Sequence, residues 1–432
     1  MTFKRKTLQA FTIGAALLAP LNAWAYLDPG TGSMLLSVFI GLISSAYFML
    51  RKLPSVARSV FFRLTGKKDD LINNSIVFYA ESAAYWSTFK PILEEFAKQN
   101  RPATYLTSDE KDPVFSAGLP DCIRAKYIGK GQTAYTALGF LQADLFVLTT
   151  PGIDVLQIRR SAGVKKYIHI VHAVGDIHTY KFYSFDYYDA VYCSGPGQVK
   201  SLRALEALRK TEPKELPILG CPYLDTMVTR LATAQKPEHD TILVAPTWGK
   251  NGLLTRTGSL IPKMLAQAGY KVILRPHPQS FISDKPLMDQ LTQELAGIDA
   301  IEWDRNPDGF ASLSRARLMI SDVSGVIFDF AFNFLRPVIS VGAGPMKEGF
   351  EAWEIPHEAW EMQALDSLGK RIMPGDEARI VDAVRELLAR HDDMAQKIQS
   401  IRNNNVVNFG CAGPVIAEHL IRTADSLKAG NK

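Results

Sequence analysis

The feature that most constrains this chain is the alternation, from about residue 75 onward, of short apolar runs with segments of helical periodicity. Ser75–Ala80 reads as a strand, Thr88–Gln99 as a helix and Ala103–Leu106 as a second strand. Leu145–Thr149, Tyr167–Val171 and Ala190–Cys193 read as further strands, followed by a helix over Gly197–Lys210. A Pro-containing stretch (Pro213 to Pro222) and a polar one (Ala232–Asp240) then flank a lobe boundary, after which the pattern restarts. Thr241–Ala245, Tyr270–Arg275, Ala300–Trp303, Leu318–Ser321 and Val338–Val341 read as strands, with helices over Leu260–Ala268 and Val326–Phe334. Such alternation specifies βαβ units and mostly parallel sheets. The expected fold is α/β, with two Rossmann-like doubly wound lobes over residues 71–230 and 240–375 and helices over 376–432. In sheets of this kind ligands sit beyond the carboxyl ends of the strands, so the residues that follow strands carry the functional information.

The 432 residues are long enough for two such lobes, and 47% hydrophobic against 22% charged content fits a packed globular body. A formal net charge of +5 is too small to imply nucleic acid as a partner. The four cysteines, Cys122, Cys193, Cys221 and Cys411, form no C-x-x-C pair and read as free thiols of a reducing compartment.

Much of the positive charge lies near the N-terminus. Lys4, Arg5 and Lys6 precede an apolar run over Phe11–Ala19, and Ala23-Trp24-Ala25 follows as a cleavage-type motif, so residues 1–25 read as a signal peptide or a first membrane segment. Pro29 to Leu50 contains no charged residue and would make about 33 Å of helix, enough to cross a bilayer core; Pro29, Gly30 and Gly32 set the start of the span near Ser33, giving a transmembrane helix over 33–50. A basic juxtamembrane linker over 51–70 follows, with Arg51, Lys52, Arg58, Arg63, Lys67 and Lys68 arriving before any acidic residue. Positive charge beside a span marks the cytoplasmic side. Whether or not the first segment is cleaved, the body is then expected in the cytoplasm, tethered to a bacterial inner membrane.

Three strand-end segments of the second lobe are candidates for chemistry. In Arg275-Pro276-His277-Pro278 two prolines hold the chain extended, the Arg can fork onto two phosphate oxygens and the His can donate to a third. Ser321-Asp322-Val323-Ser324-Gly325 runs directly into the apolar helix Val326–Phe334, and such a helix start binds anions through its free N–H groups; capping by Asp322 or Ser324 uses the same geometry. Asp329, inside that helix, reads as a ribose ligand or as a packing residue. Pro246-Thr247-Trp248-Gly249-Lys250-Asn251-Gly252 is a looser loop from which Thr247 or Lys250 can meet phosphate, or a plain surface loop. In the first lobe, His169 and His172 are three apart in a strand and so face opposite sides. His172 lies at the carboxyl end as a candidate general base, His169 points inward, and Asp176 and His178 are further candidates. The spacing does not read as a metal triad. The sequence contains no GxSxG elbow, no HExxH helix and no Walker motif, which argues against a serine hydrolase, a zincin and a P-loop NTPase.

Taken together, Ala245-Pro246-Thr247-Trp248, Arg275-Pro276-His277-Pro278, Ser321-Asp322-Val323-Ser324-Gly325-Val326-Ile327-Phe328-Asp329-Phe330 and Arg336-Pro337-Val338 resemble, in order and spacing, the CDP-glycerol glycerophosphotransferase family of wall and capsule polymer enzymes. Ile168–His172 resembles, more distantly, the strand ending in that family's Trp-His-Gly motif. The resemblance spans roughly residues 145–345. It implies a GT-B-like fold in which the second lobe holds a CDP-linked donor and the first presents the acceptor hydroxyl. His172 would be the base. Arg275 and His277 would hold the diphosphate, with Ser321, Asp322, Ser324 and Gly325 at the helix start. No cofactor is implied beyond a CDP-glycerol-like substrate. The pattern departs from the family at Gly249-Lys250, at Gly325, and at Val171 and Ala173 around His172. The sequence leaves three functions open: transfer of a polyol phosphate from a CDP donor to a lipid-linked or other hydroxyl acceptor, a GT-B glycosyltransferase using a nucleotide sugar, and a non-catalytic membrane-bound nucleotide-binding protein.

Overall fold

A computed structural model describes residues 75–429, apart from 307, 323, 343, 345 and 346, together with Val38. The expected signal and membrane segments and the basic linker lie, but for Val38, outside the described residues. Among the described residues no helix is long and apolar enough to cross a membrane.

The body contains two six-stranded sheets, parallel throughout. The first is built from β1 (Ile76–Ala80), β2 (Ala103–Thr107), β3 (Ile123–Tyr127), β4 (Ala143–Leu148), β5 (Val164–Ile170) and β6 (Ala190–Tyr192). Their spatial order is β3-β2-β1-β4-β5-β6. The second is built from β7 (Thr241–Val244), β8 (Lys271–Leu274), β9 (Ile301–Trp303), β10 (Leu318–Ser321), β11 (Val338–Val341) and β12 (Gly369–Ile372). Its order, β12-β11-β10-β7-β8-β9, is the same sequence of steps seen from the other edge. In each sheet the winding reverses between the lobe's first and fourth strands, β1/β4 and β7/β10. That switch point is where a doubly wound sheet leaves a crevice for ligand.

Period-two burial builds the first core on both faces of β1. Ile76, Phe78 and Ala80 join one apolar cluster, with the helices Trp86–Lys98 and Ala412–Ala429, while Val77 and Tyr79 join the opposite one. Phe78 meets Phe89 and Phe96 edge-on at 5.7 and 5.6 Å. Burial on both faces is why these strands read as continuous apolar runs rather than alternating ones. In the second lobe the helix Val326–Phe334 buries Ile327, Phe328, Phe330, Ala331 and Phe332. It ends at Leu335 in the left-handed conformation, two residues before Pro337, a common way to stop a helix. Arg336 of the same turn is buried and donates to the carbonyls of Leu313, Ser314 and Ala316, closing the end of the helix Phe310–Arg315.

The sequence pattern located ten of the twelve strands; β3 and β12 were not anticipated. Both are sheet edges, and they carry Arg124 and Lys126, and Lys370 and Arg371, which break the apolar run. The helix Pro222–Leu231 was also unanticipated. Pro222, which reads as a linker mark, occupies its first turn, where proline is favoured.

Candidate active site at the carboxyl ends of the two sheets

His172 follows β5 by two residues. Its ring is packed edge-on by Tyr85 at 5.3 Å and Tyr180 at 6.3 Å. Nδ1 is sealed off without a hydrogen-bond partner, which leaves Nε2 as the ring nitrogen toward the opening. Burial lowers its proton affinity, so the ring is neutral, with a lone pair available, at neutral pH. His169 lies inside, as the strand period requires. It is fully buried among Tyr180, Phe185 and Tyr188, neither ring nitrogen has a partner, and burial lowers its pKa to about 3.

The candidate segments of the second lobe converge at its sheet's switch point. Pro246–Gly252 follows β7, Asp322–Gly325 follows β10, and Arg275–Pro278 follows β8, the neighbour of β7. The direction of the side chains differs from expectation at three positions. Ser321 is wholly buried and its hydroxyl donates to the Ala245 carbonyl at 2.6 Å, which ties β10 to β7 and leaves nothing for a ligand. Arg275 puts Nη1 on Asp304 at 2.6 Å and on the Asn306 carbonyl at 2.7 Å, so part of its guanidinium is committed to the turn after β9. A Cβ at Gly309 would come within 2.7 Å of this guanidinium, so glycine is needed for the approach. Asp322 turns its carboxylate inward, where it accepts from the backbone N–H and hydroxyl of Thr247 at 2.8 and 3.2 Å and from the N–H of Leu253 at 2.7 Å. It caps the helix Leu253–Thr257 and holds the Pro246–Gly252 loop. Thr247 is thereby committed to Asp322, and Lys250 is exposed at the loop's outer side.

What faces outward is His277, Ser324 and Gly325. His277 is exposed beside the Trp248 ring, 6.4 Å away, and its Nδ1 accepts from the Gln279 N–H at 3.1 Å. That bond puts the ring proton on Nε2, as a donor directed away from the turn. Ser324 and Gly325 stand before the helix Val326–Phe334, and a Cβ at Gly325 would meet nothing.

Two residues at the start of the helix Pro222–Leu231 touch both lobes. Cys221 Sγ lies 4.0 Å from the Val171 carbonyl, and Tyr223 O–H lies 3.5 Å from Asp329 Oδ2. Asp329 therefore faces the helix Pro222–Leu231, and burial pushes its carboxyl up to about 7.

The first lobe has a switch point of its own, between β1 and β4. Glu81 follows β1 and Thr150 follows β4. With Tyr135, Gln157, Tyr180 and Lys181 they line a cavity of about 350 Å³. Tyr135 donates to Glu81 at 3.0 Å. An acidic residue directly after the first strand was the available signal.

No family model and no curated protein matches this sequence. Solved structures do. The wall teichoic acid polymerase TagF, in a histidine-to-asparagine variant soaked with CDPG, matches with a TM-score of 0.56 at 15% identity, over 88% of this chain and 98% of that one. UDP-GlcNAc 2-epimerase from Neisseria meningitidis, bound to UDP-GlcNAc, matches with a TM-score of 0.54 at 13% identity, over 81% of this chain and all of that one. The corresponding epimerase from Methanocaldococcus jannaschii matches with a TM-score of 0.50 at 14% identity over 81% of this chain. The body of this protein thus has the two-lobed, GT-B-like α/β fold of TagF, the fold that its sequence resemblance implied.

Proposed function

We propose that the protein is a transferase of the CDP-glycerol glycerophosphotransferase type, which moves a polyol phosphate from a CDP-linked donor to a hydroxyl acceptor in surface-polymer or glycolipid synthesis. The observation that carries this reading is a neutral, half-enclosed His172 at a strand end of one lobe, linked through Val171, Cys221 and Tyr223 to Asp329 in the first turn of the other lobe's helix Val326–Phe334. On this reading His172 is the base and the start of that helix is the anion site. In the reaction, Nε2 of His172 takes the proton of the acceptor hydroxyl. The acceptor oxygen forms a bond to the distal phosphorus while the bond from that phosphorus to the CMP oxygen breaks. The N–H groups before Val326 and the Nε2–H of His277 stabilise charge on the leaving phosphate. Thr247, Lys250 and Asp322 shape the loop beside it, and Asp329 lines the crevice.

The likeness to TagF, whose structure was soaked with CDPG, supports the donor class. The likeness to epimerases that carry UDP-GlcNAc supports a second reading, a glycosyltransferase that uses a nucleotide sugar. The charge pattern of residues 1–70 supports anchorage at the inner membrane with the body in the cytoplasm, where a lipid-linked acceptor would be at high effective concentration. The test is nucleotide release by the full-length protein in detergent, read as CMP from CDP-glycerol or CDP-ribitol and as UDP from a panel of UDP-sugars. Turnover of a CDP-polyol is expected. Turnover of UDP-sugars alone would replace the first reading with the second, and thermal stabilisation by nucleotide without any turnover would leave a non-catalytic binding protein.

A further inference from the structure

Between β11 and β12 the chain leaves the second lobe and crosses to the first, where Phe350 bridges Lys181. At the inner end of this crossing lies a cluster that the reaction does not use. His178 is buried, with Nε2 3.0 Å from the backbone carbonyl of His357. A carbonyl only accepts, so Nε2 carries the proton, and in the neutral ring Nδ1 carries the lone pair. Nδ1 is itself buried and makes no hydrogen bond. Its nearest charged neighbour, Asp176 Oδ2, is 3.6 Å away, beyond hydrogen-bonding reach. Nε2 of His357 lies in the same space, since Ser201 Oγ is 3.0 Å from it and 2.9 Å from Asp176 Oδ2. One ligand atom each from Asp176, His178 and His357 lie within 4.8 Å of one another.

We propose that Asp176, His178 and His357 form a site for a divalent transition metal of the zinc class, which ties the two lobes together. Two imidazoles and a carboxylate suit zinc, cobalt or nickel rather than magnesium or calcium. Bonds of about 2.0–2.2 Å set tetrahedral ligands roughly 3.5 Å apart, close to the separation of Asp176 and His178. The outer shell is also of the kind metal sites use. The second nitrogen of His178 is fixed by a backbone carbonyl, and Asp176 Oδ1 accepts from the Ile177 N–H at 2.7 Å. Glu361, which accepts from the Asp176 N–H at 3.0 Å, brings a second carboxylate against the first, and a dication would offset both. The site owes nothing to the identity of the donor.

The test uses the tag-free full-length protein, stripped with chelator and titrated with ZnCl2 by calorimetry and with CoCl2 by visible absorption. One equivalent per chain is expected, with the ligand-field bands of a four-coordinate cobalt site and a melting temperature several degrees above that of the stripped protein. His357→Gln, on the partly open side of the cluster, should abolish stoichiometric uptake and the cobalt bands while circular dichroism stays native, and Asp176→Asn should weaken uptake at least tenfold. His391→Gln, elsewhere on the molecule, should change neither. Absence of uptake by the wild type, a result that needs no variant to fold, would overturn the proposal. So would undiminished uptake by His357→Gln, or loss of uptake in His391→Gln.

Discussion

At the scale of single residues, burial decides what the two histidines of β5 and its exit can do. His172 keeps one nitrogen toward the crevice, and desolvation holds its pKa below the ordinary 6.5. The base form therefore persists to lower pH than for a free imidazole. Turnover should fall on the acid side only below pH 6.5, read from the pH profile of CMP release. Replacing the ring in His172→Ala should cut turnover by about 10²–10⁴-fold and leave nucleotide affinity, read by calorimetry, nearly unchanged. His169 titrates at about 3 in the fold and near 6.5 unfolded, so the unfolded chain binds the extra proton across that window. Stability from this residue is complete above 6.5 and is lost as pH falls toward 3. The phenylalanine variant His169→Phe cannot titrate. In denaturant titrations the wild type should lose up to about 1.4 kcal/mol per pH unit relative to the variant below 6.5. The strand period was enough to separate these two histidines from sequence. The partners of Asp176 were not legible, because His357 and Glu361 arrive from a segment some 180 residues away and no local pattern pairs them.

At the scale of elements, the sequence located the strand ends that form the crevice but not the direction of the side chains on them. Ser321, Asp322 and Arg275 all sit where a ligand residue would, yet each is drawn into backbone or loop contacts made by its neighbours in space. Periodicity places a residue on a face. Which neighbour claims its polar atoms depends on strand order, and that order follows from packing of the whole lobe. Asp322 illustrates the consequence. Its carboxylate serves three donors, on Thr247 and Leu253, while only 6% exposed. Asp322→Ala would leave those donors to find water in a closed loop, at a cost of roughly 3 kcal/mol. A lowered denaturation midpoint with weaker nucleotide binding is expected. An unchanged midpoint would mean that the Pro246–Gly252 loop is held by other contacts.

At the scale of the whole molecule, the chain passes between lobes more than once, and the late crossings were the least legible. The helix Ala412–Ala429, last in sequence, completes the core of the first lobe. Its opening N–H groups, on Ala412 and Gly413, donate to Asp225 at 3.0 and 2.6 Å. A Cβ at Gly413 would stand 2.5 Å from Pro91 Cβ, so glycine permits the two helices to touch. The crossing after β11 is held by Arg209. Its guanidinium donates to Asp186 at 2.6 Å, to Glu354 at 2.8 Å and to Glu351, which also accepts from the Ser184 N–H. Glu351 is wholly buried. Forming such a pair offsets its desolvation only partly, but removing one member strands the other. Arg209→Ala should therefore destabilise the body by about 3–5 kcal/mol, because Glu351 must then be protonated or drawn into water. The loss would fall on the contact between lobes and leave both sheets intact. Differential scanning calorimetry should then resolve two transitions where the wild type unfolds in one. The double variant Arg209→Met with Glu351→Leu, which removes both charges, should recover most of the lost stability; a double variant no more stable than Arg209→Ala would mean that the ion pair itself, and not the stranded carboxylate, sets the cost.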